Sequence, residues 1–165
     1  MDEQFSRTAM LIGEDAVARL QSARVALFGV GGVGSFAAEA LIRAGVGHLD
    51  LYDSDTVCAS NLNRQLIALH STMGQYKVDA ARSRLLDINP DAQIGAHRMF
   101  YLPENADRVD LSQYDYIIDC IDTVSAKLEL AVRAQALGVP LIASMGTGNK
   151  LDPTAFQIAD IEETA

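Results

Sequence analysis

Between residues 53 and 77 the chain carries Asp53-Ser54-Asp55-Thr56-Val57-Cys58-Ala59-Ser60-Asn61-Leu62-Asn63-Arg64-Gln65 and then Lys77. Upstream stands Gly29-Val30-Gly31-Gly32-Val33-Gly34, between the apolar run Val25-Ala26-Leu27-Phe28 and an alanine-rich stretch that begins after Ser35. A strand, a glycine turn and a helix in that order are the context in which a GxGxxG match signals nucleotide binding. Gly29 permits the tight turn, Gly31 lets backbone approach a phosphate, and Gly34 allows the helix to pack closely. The free N–H groups at the helix start suit an anion. The plain alternative is a glycine-rich strand-helix turn with no ligand. Asp53 closes a second apolar run, His48-Leu49-Asp50-Leu51-Tyr52, where an acid reaches ribose hydroxyls. A dehydrogenase needs these glycines and Asp53 but not the amides and cations that follow. Lys77 and Arg64 can neutralise a triphosphate, Asn61 and Gln65 can donate amide hydrogen bonds, and Asp122 can coordinate magnesium. The combination points to ATP. Asp122 has a competing role as N-cap of a helix starting near Val124, and Asp119 is available for a structural task.

The elements that must position these groups alternate along the chain. Apolar segments at residues 24 to 30, 47 to 52, 93 to 98, 114 to 120 and 139 to 144 read as strands, and stretches near 34 to 44, 75 to 88 and 124 to 137 read as helices. Such alternation predicts a Rossmann-like, doubly wound α/β fold with a mainly parallel sheet and helices on both faces. Gly45, Asn89-Pro90 and Gly138 mark the helix ends. A further helix, roughly 14 to 20, precedes the first strand and is expected beside the sheet. Ligands of an open parallel sheet gather outside the carboxyl ends of its strands, so Gly29 to Gly34, Asp53, Asp119 to Asp122 and Ser144 to Gly148 should open onto one crevice.

The chain has 165 residues, about half of them apolar (49%), enough for one domain with a buried core. No apolar run approaches a membrane span and the opening Met-Asp-Glu-Gln is unlike a signal peptide, so a cytoplasmic protein without membrane contact is expected. Cys58 and Cys120 form no CxxC pair and read as small apolar residues at a strand end or in a loop. A formal charge of −9 argues against a surface devoted to non-specific nucleic-acid binding, without excluding a local patch. Lys77, Arg82, Arg84, Arg43 and Arg64 could form a cationic rim; a solvated helix face is the bland reading of Arg82 and Arg84.

GxGGVGS from Gly29, DxDxVxxSNLNRQ from Asp53, GxxKVDAAR from Gly74 and DCIDTVSAK from Asp119 stand in the order and spacing of one family. Together they resemble the ubiquitin-activating-type adenylating enzymes, the group of ThiF and MoeB, over nearly the whole chain. Ala37-Ala38-Glu39-Ala40-Leu41, Asp55-Thr56-Val57-Cys58, Leu151-Asp152-Pro153-Thr154 and Ile158-Ala159-Asp160-Ile161 are similar to the branch that dehydrates threonylcarbamoyladenosine in tRNA.

The resemblance implies that Asp53 holds the ribose with Asp55 nearby, Arg64 and Lys77 the triphosphate, Asn61 and Gln65 the phosphate region, and Asp122 the Mg2+. Arg7 resembles an arginine that reaches the partner subunit's nucleotide site, which implies a homodimer with sites completed in trans. An arginine aimed at developing phosphate charge is an electrostatic device for catalysis. The implied reaction is attack of a carboxylate oxygen on the α-phosphorus of ATP with departure of pyrophosphate, in which the protein positions and neutralises. In the dehydratase branch the carboxylate belongs to the threonylcarbamoyl group of adenosine 37 in tRNA, and ring closure releases AMP. In the sister branch it is the C-terminal glycine of a ubiquitin-like sulfur-carrier protein. A NAD-binding oxidoreductase accounts for the glycines and Asp53 but leaves Asn61, Arg64, Lys77 and Asp122 without a role; a non-catalytic nucleotide-binding module is the remaining alternative. Residues 1–165 are expected to form a single ATP-binding domain, with an N-terminal helical region over about 1–22 and a nucleotide-binding core over about 23–160. Family members continue for about another hundred residues, so a C-terminal region is expected to be missing.

Overall fold

Short, largely apolar runs bounded by glycine or polar turns form the strands, and the central ones are covered on both faces. The computed structural model describes residues 3–163 except 147, 149 and 150, with the backbone alone at 162. Two N-terminal helices, α1 (Ser6–Ile12) and α2 (Glu14–Ser22), lead into β1 (Arg24–Phe28), α3 (Gly34–Ala44) and β2 (His48–Tyr52). There follow α4 (Lys77–Ile88), β3 (Gln93–His97), β4 (Tyr116–Asp119), α5 (Val124–Leu137) and β5 (Leu141–Ala143). All strand pairs are parallel in the order β3-β2-β1-β4-β5, with Leu27 level with Leu51 and Ile118 across the centre. This is the doubly wound α/β arrangement that the sequence predicts.

The period of two along β1 sorts the core. Val25 and Leu27 face α3 and α4 with Ile42, Leu49, Leu51, Val78 and Leu85. Ala26 and Phe28 face α5 and the 3-10 segment Pro103–Arg108 with Tyr52, Tyr101, Tyr114, Ile117 and Leu130. Gly45 and Gly138 end α3 and α5 in left-handed conformations, and Asn89 ends α4, as their positions predict. The strands are shorter than the apolar runs: β1 stops at Phe28 where Gly29 turns, and β5 starts only after Pro140, which has no N–H to donate. The N-terminal region holds two helices broken at Gly13, and α1 buries none of its residues, so no core-facing periodicity marks it. Among the described residues no helix is long and apolar enough to cross a membrane.

One polar cluster sits within this apolar frame. Asp50 on β2 accepts from the Arg24 guanidinium at 3.1 Å and pairs with His97 Nε2 at 2.9 Å, while the Tyr52 and Tyr114 hydroxyls share a 2.7 Å bond. Burial pushes the Asp50 carboxyl up, but hydrogen bonds from His97, Arg24 and Tyr114 outweigh it and hold the group below the ordinary value of 3.8. Gly95 on β3 makes room: a Cβ there would stand 1.8 Å from Asp50 Oδ1. Gly95→Ala should therefore cost about 1–3 kcal/mol, read as a lower urea midpoint. The lowered carboxyl also sets the acid limb. Its stabilisation is complete above 3.8 and is lost as pH falls through the lower folded value, so Asp50→Asn should flatten the fall in urea midpoint below about pH 4.

Candidate functional site

Chain order reverses across the sheet at β1, whose neighbours β2 and β4 are reached on opposite sides, and a crevice opens there outside the carboxyl ends of the strands. The cleft measures about 520 Å³. Gly29, with φ +89°, lies so close to the strand beside it that a Cβ would come within 2.6 Å of the Cys120 carbonyl oxygen. A Cβ on Gly34 would stand 1.8 Å from the Gly29 carbonyl oxygen, so α3 begins directly against the turn. Gly29, Gly31 and Gly32 line the cleft; Gly34 sits behind them as a packing residue.

Asp53 ends β2 facing the turn. It accepts from Val30 N and Asp55 N, each at 2.8 Å, one bond to each carboxylate oxygen. Burial raises its carboxyl above the ordinary range, against the Asp55 and Val30 amides and the charge of Lys77. Lys77 opens α4 with its ammonium buried, 2.7 Å from Asp55 Oδ2 and 4.0 Å from Asp53 Oδ2. Arg64 donates to Ser60 O at 2.9 Å and to Asn63 Oδ1 at 3.0 Å, two of the guanidinium's five donors, and its stem packs on Gly32. Asn61 is buried and its Oδ1 accepts from Cys58 N at 3.0 Å, which leaves its NH2 for a ligand. Gln65 lies buried beneath the turn, and its Oε1 has no hydrogen-bond partner among the described residues.

Asp122 lines the cleft, exposed, and among the described residues its only side-chain hydrogen bond is from the Thr123 hydroxyl at 3.5 Å. The N-cap of α5 is Thr123, without a side-chain cap, so the competing role of Asp122 is not taken up. An exposed carboxylate in the same cleft as Lys77 and Arg64 fits Mg2+, which binds through one or two carboxylates plus phosphate oxygens rather than in an all-protein cage. Among the described residues no group of three or more metal-ligating side chains forms such a cage. Asp119 is structural: it is buried, pairs with Lys127 at 2.7 Å and accepts from Ile121 N. Burial pushes the Cys120 thiol up to about 11, against a nucleophilic role. Ser144 and Gly146 reach the cleft, while Thr147 lies outside the described residues.

One expectation of the sequence changes. The five cations do not form one rim: Arg43 and Arg84 both bind Glu39, at 2.8 and 2.6 Å, and Lys77 is enclosed. Arg7 is exposed on α1 and does not line the cleft of its own chain. The sequence also passes over residues that build the site. Ser35 donates to Gly31 O at 2.7 Å and accepts from Leu66 N at 3.1 Å, tying the glycine turn to the loop that carries Arg64. Its place directly after the glycine motif was the available signal. Met99, Phe100 and Tyr101 add apolar surface to the cleft, which Phe28 and Tyr52, stacked at 4.5 Å, also line; no motif marks the 99–101 segment.

The ThiF family profile matches residues 5–164. A tRNA threonylcarbamoyladenosine dehydratase of Bacillus subtilis is 49% identical over 164 residues, covering 99% of this chain and 65% of that protein. The crystal structure of Escherichia coli tRNA N6-threonylcarbamoyladenosine dehydratase in complex with ATP superposes with a TM-score of 0.92 at 38% identity, covering 98% of this chain and 67% of that one. An adenylyltransferase and sulfurtransferase, uba4, of Aspergillus niger is 38% identical over 149 residues, covering 87% of this chain and 31% of that protein. The chain thus spans 65% of the Bacillus subtilis dehydratase and 60% of the Escherichia coli one.

Because both bonds of the buried Ser35 hydroxyl are made to backbone, Ser35→Ala should cost about 1–3 kcal/mol. Urea unfolding measures the loss, and limited proteolysis should show earlier cutting between residues 59 and 66.

Proposed function

The chain belongs to the ThiF family, and from that premise we propose that it is an ATP-dependent adenylating enzyme acting on the threonylcarbamoyl group of adenosine 37 in tRNA. One observation carries the adenylation: Asp53, Asn61, Arg64, Gln65, Lys77 and Asp122 share a cleft with the glycine turn. A hydride-transferring enzyme has no use for that set of cations and amides. The choice of substrate is supported by the 49% identical dehydratase. Dehydration to the cyclic nucleoside, a cytoplasmic setting and one ATP-binding domain over residues 1–165 belong to the same proposal.

Within the cleft, Asp53 is placed to accept from ribose hydroxyls, with its anionic form already held by two amides. The turn offers backbone N–H groups to phosphate. Lys77 and Arg64 neutralise phosphate charge as the substrate carboxylate oxygen bonds to the α-phosphorus and the bond to pyrophosphate breaks. Gln65 and the NH2 of Asn61 hold the phosphates in register. Asp122 would hold Mg2+, which supplies further neutralisation of the leaving pyrophosphate. A group within the same modified nucleoside then displaces AMP, so no protein nucleophile is needed, in keeping with the raised Cys120 thiol. Arg7, outside its own cleft, is assigned to the cleft of a second copy in a homodimer.

The alternative substrate, the C-terminal glycine of a ubiquitin-like sulfur carrier, draws support from the Aspergillus niger relative. Pyrophosphate exchange into ATP separates the two: it should depend on tRNA bearing threonylcarbamoyladenosine, and dependence on a small carrier protein instead would overturn the tRNA reading. Lys77→Ala should lower exchange by about a hundredfold or more while leaving the circular dichroism spectrum unchanged.

A further inference from the structure

Arg98 leaves β3 at the lip of the cleft and turns outward across α4. Its Nε and Nη2 donate to Asp79 Oδ2 at 3.0 and 2.6 Å, and its guanidinium carbon lies 4.4 Å from the centroid of the Tyr76 ring. Tyr76 is the N-cap of α4 and Asp79 lies within its first turn, so one helix end holds both partners and fixes the guanidinium plane. The layer stays open outward: the Arg98 side chain is 56% exposed and Tyr76 37%. Phe100, two residues on, lines the cleft while 46% exposed. Arg82 stands three residues after Asp79, on the same face of α4, exposed and without an ion-pair partner among the described residues.

We propose that the strip from Phe100 through Arg98 and Tyr76 to Arg82 is a docking platform for unpaired RNA. Phe100 and the Arg98–Tyr76 layer each take a base, and Arg82 takes a phosphate. The charge of Arg98 is already met by Asp79, so what it offers a partner is a flat, weakly hydrated face. An acidic peptide would leave that face and Phe100 uncovered, whereas unstacked bases of a single-stranded loop pack on aromatic rings and guanidinium planes. The position suits an RNA loop whose reacting nucleotide enters the cleft, since Phe100 belongs to both surfaces. A chain of net charge −9 has no broad field to hold RNA, and stacking supplies affinity without one. This platform rests on the tRNA reading of the function.

The test is filter binding of tRNA bearing threonylcarbamoyladenosine to the full chain across a salt series, with tRNA-stimulated pyrophosphate release measured alongside. Arg98→Ala should weaken binding by roughly tenfold. Arg98→Lys, which keeps the charge and the Asp79 pair but loses the plane, should weaken it by nearly as much. Arg82→Ala should reduce the slope of log affinity against log salt by about one. Wild-type affinity in Arg98→Lys would overturn the stacking layer, and wild-type affinity in both Arg98 variants and Arg82→Ala would overturn the platform. If tRNA still stimulates pyrophosphate release in that case, the proposed reaction stands without it. A wild-type chain that neither binds tRNA nor responds to it overturns the reaction and the platform together.

Discussion

The Asp53 carboxylate is the joint on which the cleft depends. One of its oxygens holds the amide of Val30 in the glycine turn and the other holds the amide of Asp55, so a single side chain fixes the turn after β1 to the loop after β2. Burial works against this anion and raises its carboxyl. The two amides and the Lys77 ammonium at 4.0 Å resist that shift, and the buried Lys77 is in turn paired with Asp55. Position and charge are therefore coupled: the groups that set where the turn lies also favour the ionised form of Asp53 against burial. The close approach at Gly29 and Gly34 is what brings the Val30 amide within reach.

The distribution of charge follows the same division between holding and offering. Arg43 and Arg84 lock α3 to α4 through Glu39, and Arg24 and His97 close on Asp50 beneath the sheet. These side chains are committed to structure. Arg64 keeps most of its donors, and Arg82 has no ion-pair partner among the described residues. A formal charge of −9 consequently says little about the cleft, where the orientation of a few cations matters more than their total.

Sequence periodicity makes the sheet and the helices α3, α4 and α5 legible because their apolar faces repeat locally. It misses α1, which has no buried face, and trims poorly at strand ends, where glycine φ and a proline without N–H decide the boundary. The site was legible where a motif is contiguous: the glycine turn, the 53–65 segment, Lys77 and Asp122 all reach one cleft. Ser35 acts through Leu66 and Gly31, and Asp50 acts through Arg24, His97 and Tyr114; these pairings cross up to 64 positions, from Asp50 to Tyr114, and no local pattern encodes them. The cationic rim failed for the same reason, since Glu39 is distant in sequence from Arg84 but adjacent in space.

The two polar regions of the core differ in a way that bears on ligand binding. Around Asp50 the carboxylate, the arginine, the histidine and both tyrosine hydroxyls find partners, as a group retained for structure must. At the cleft, Gln65 Oε1 and the Tyr101 hydroxyl are buried without partners among the described residues, and burial pushes the Tyr101 hydroxyl up to about 12. Each such group costs the fold about 1–3 kcal/mol. Along the cleft these two groups, unlike the Asp50 cluster, keep hydrogen-bonding capacity that a guest can meet. Any molecule that meets those atoms in the folded chain alone then stabilises the fold by mass action.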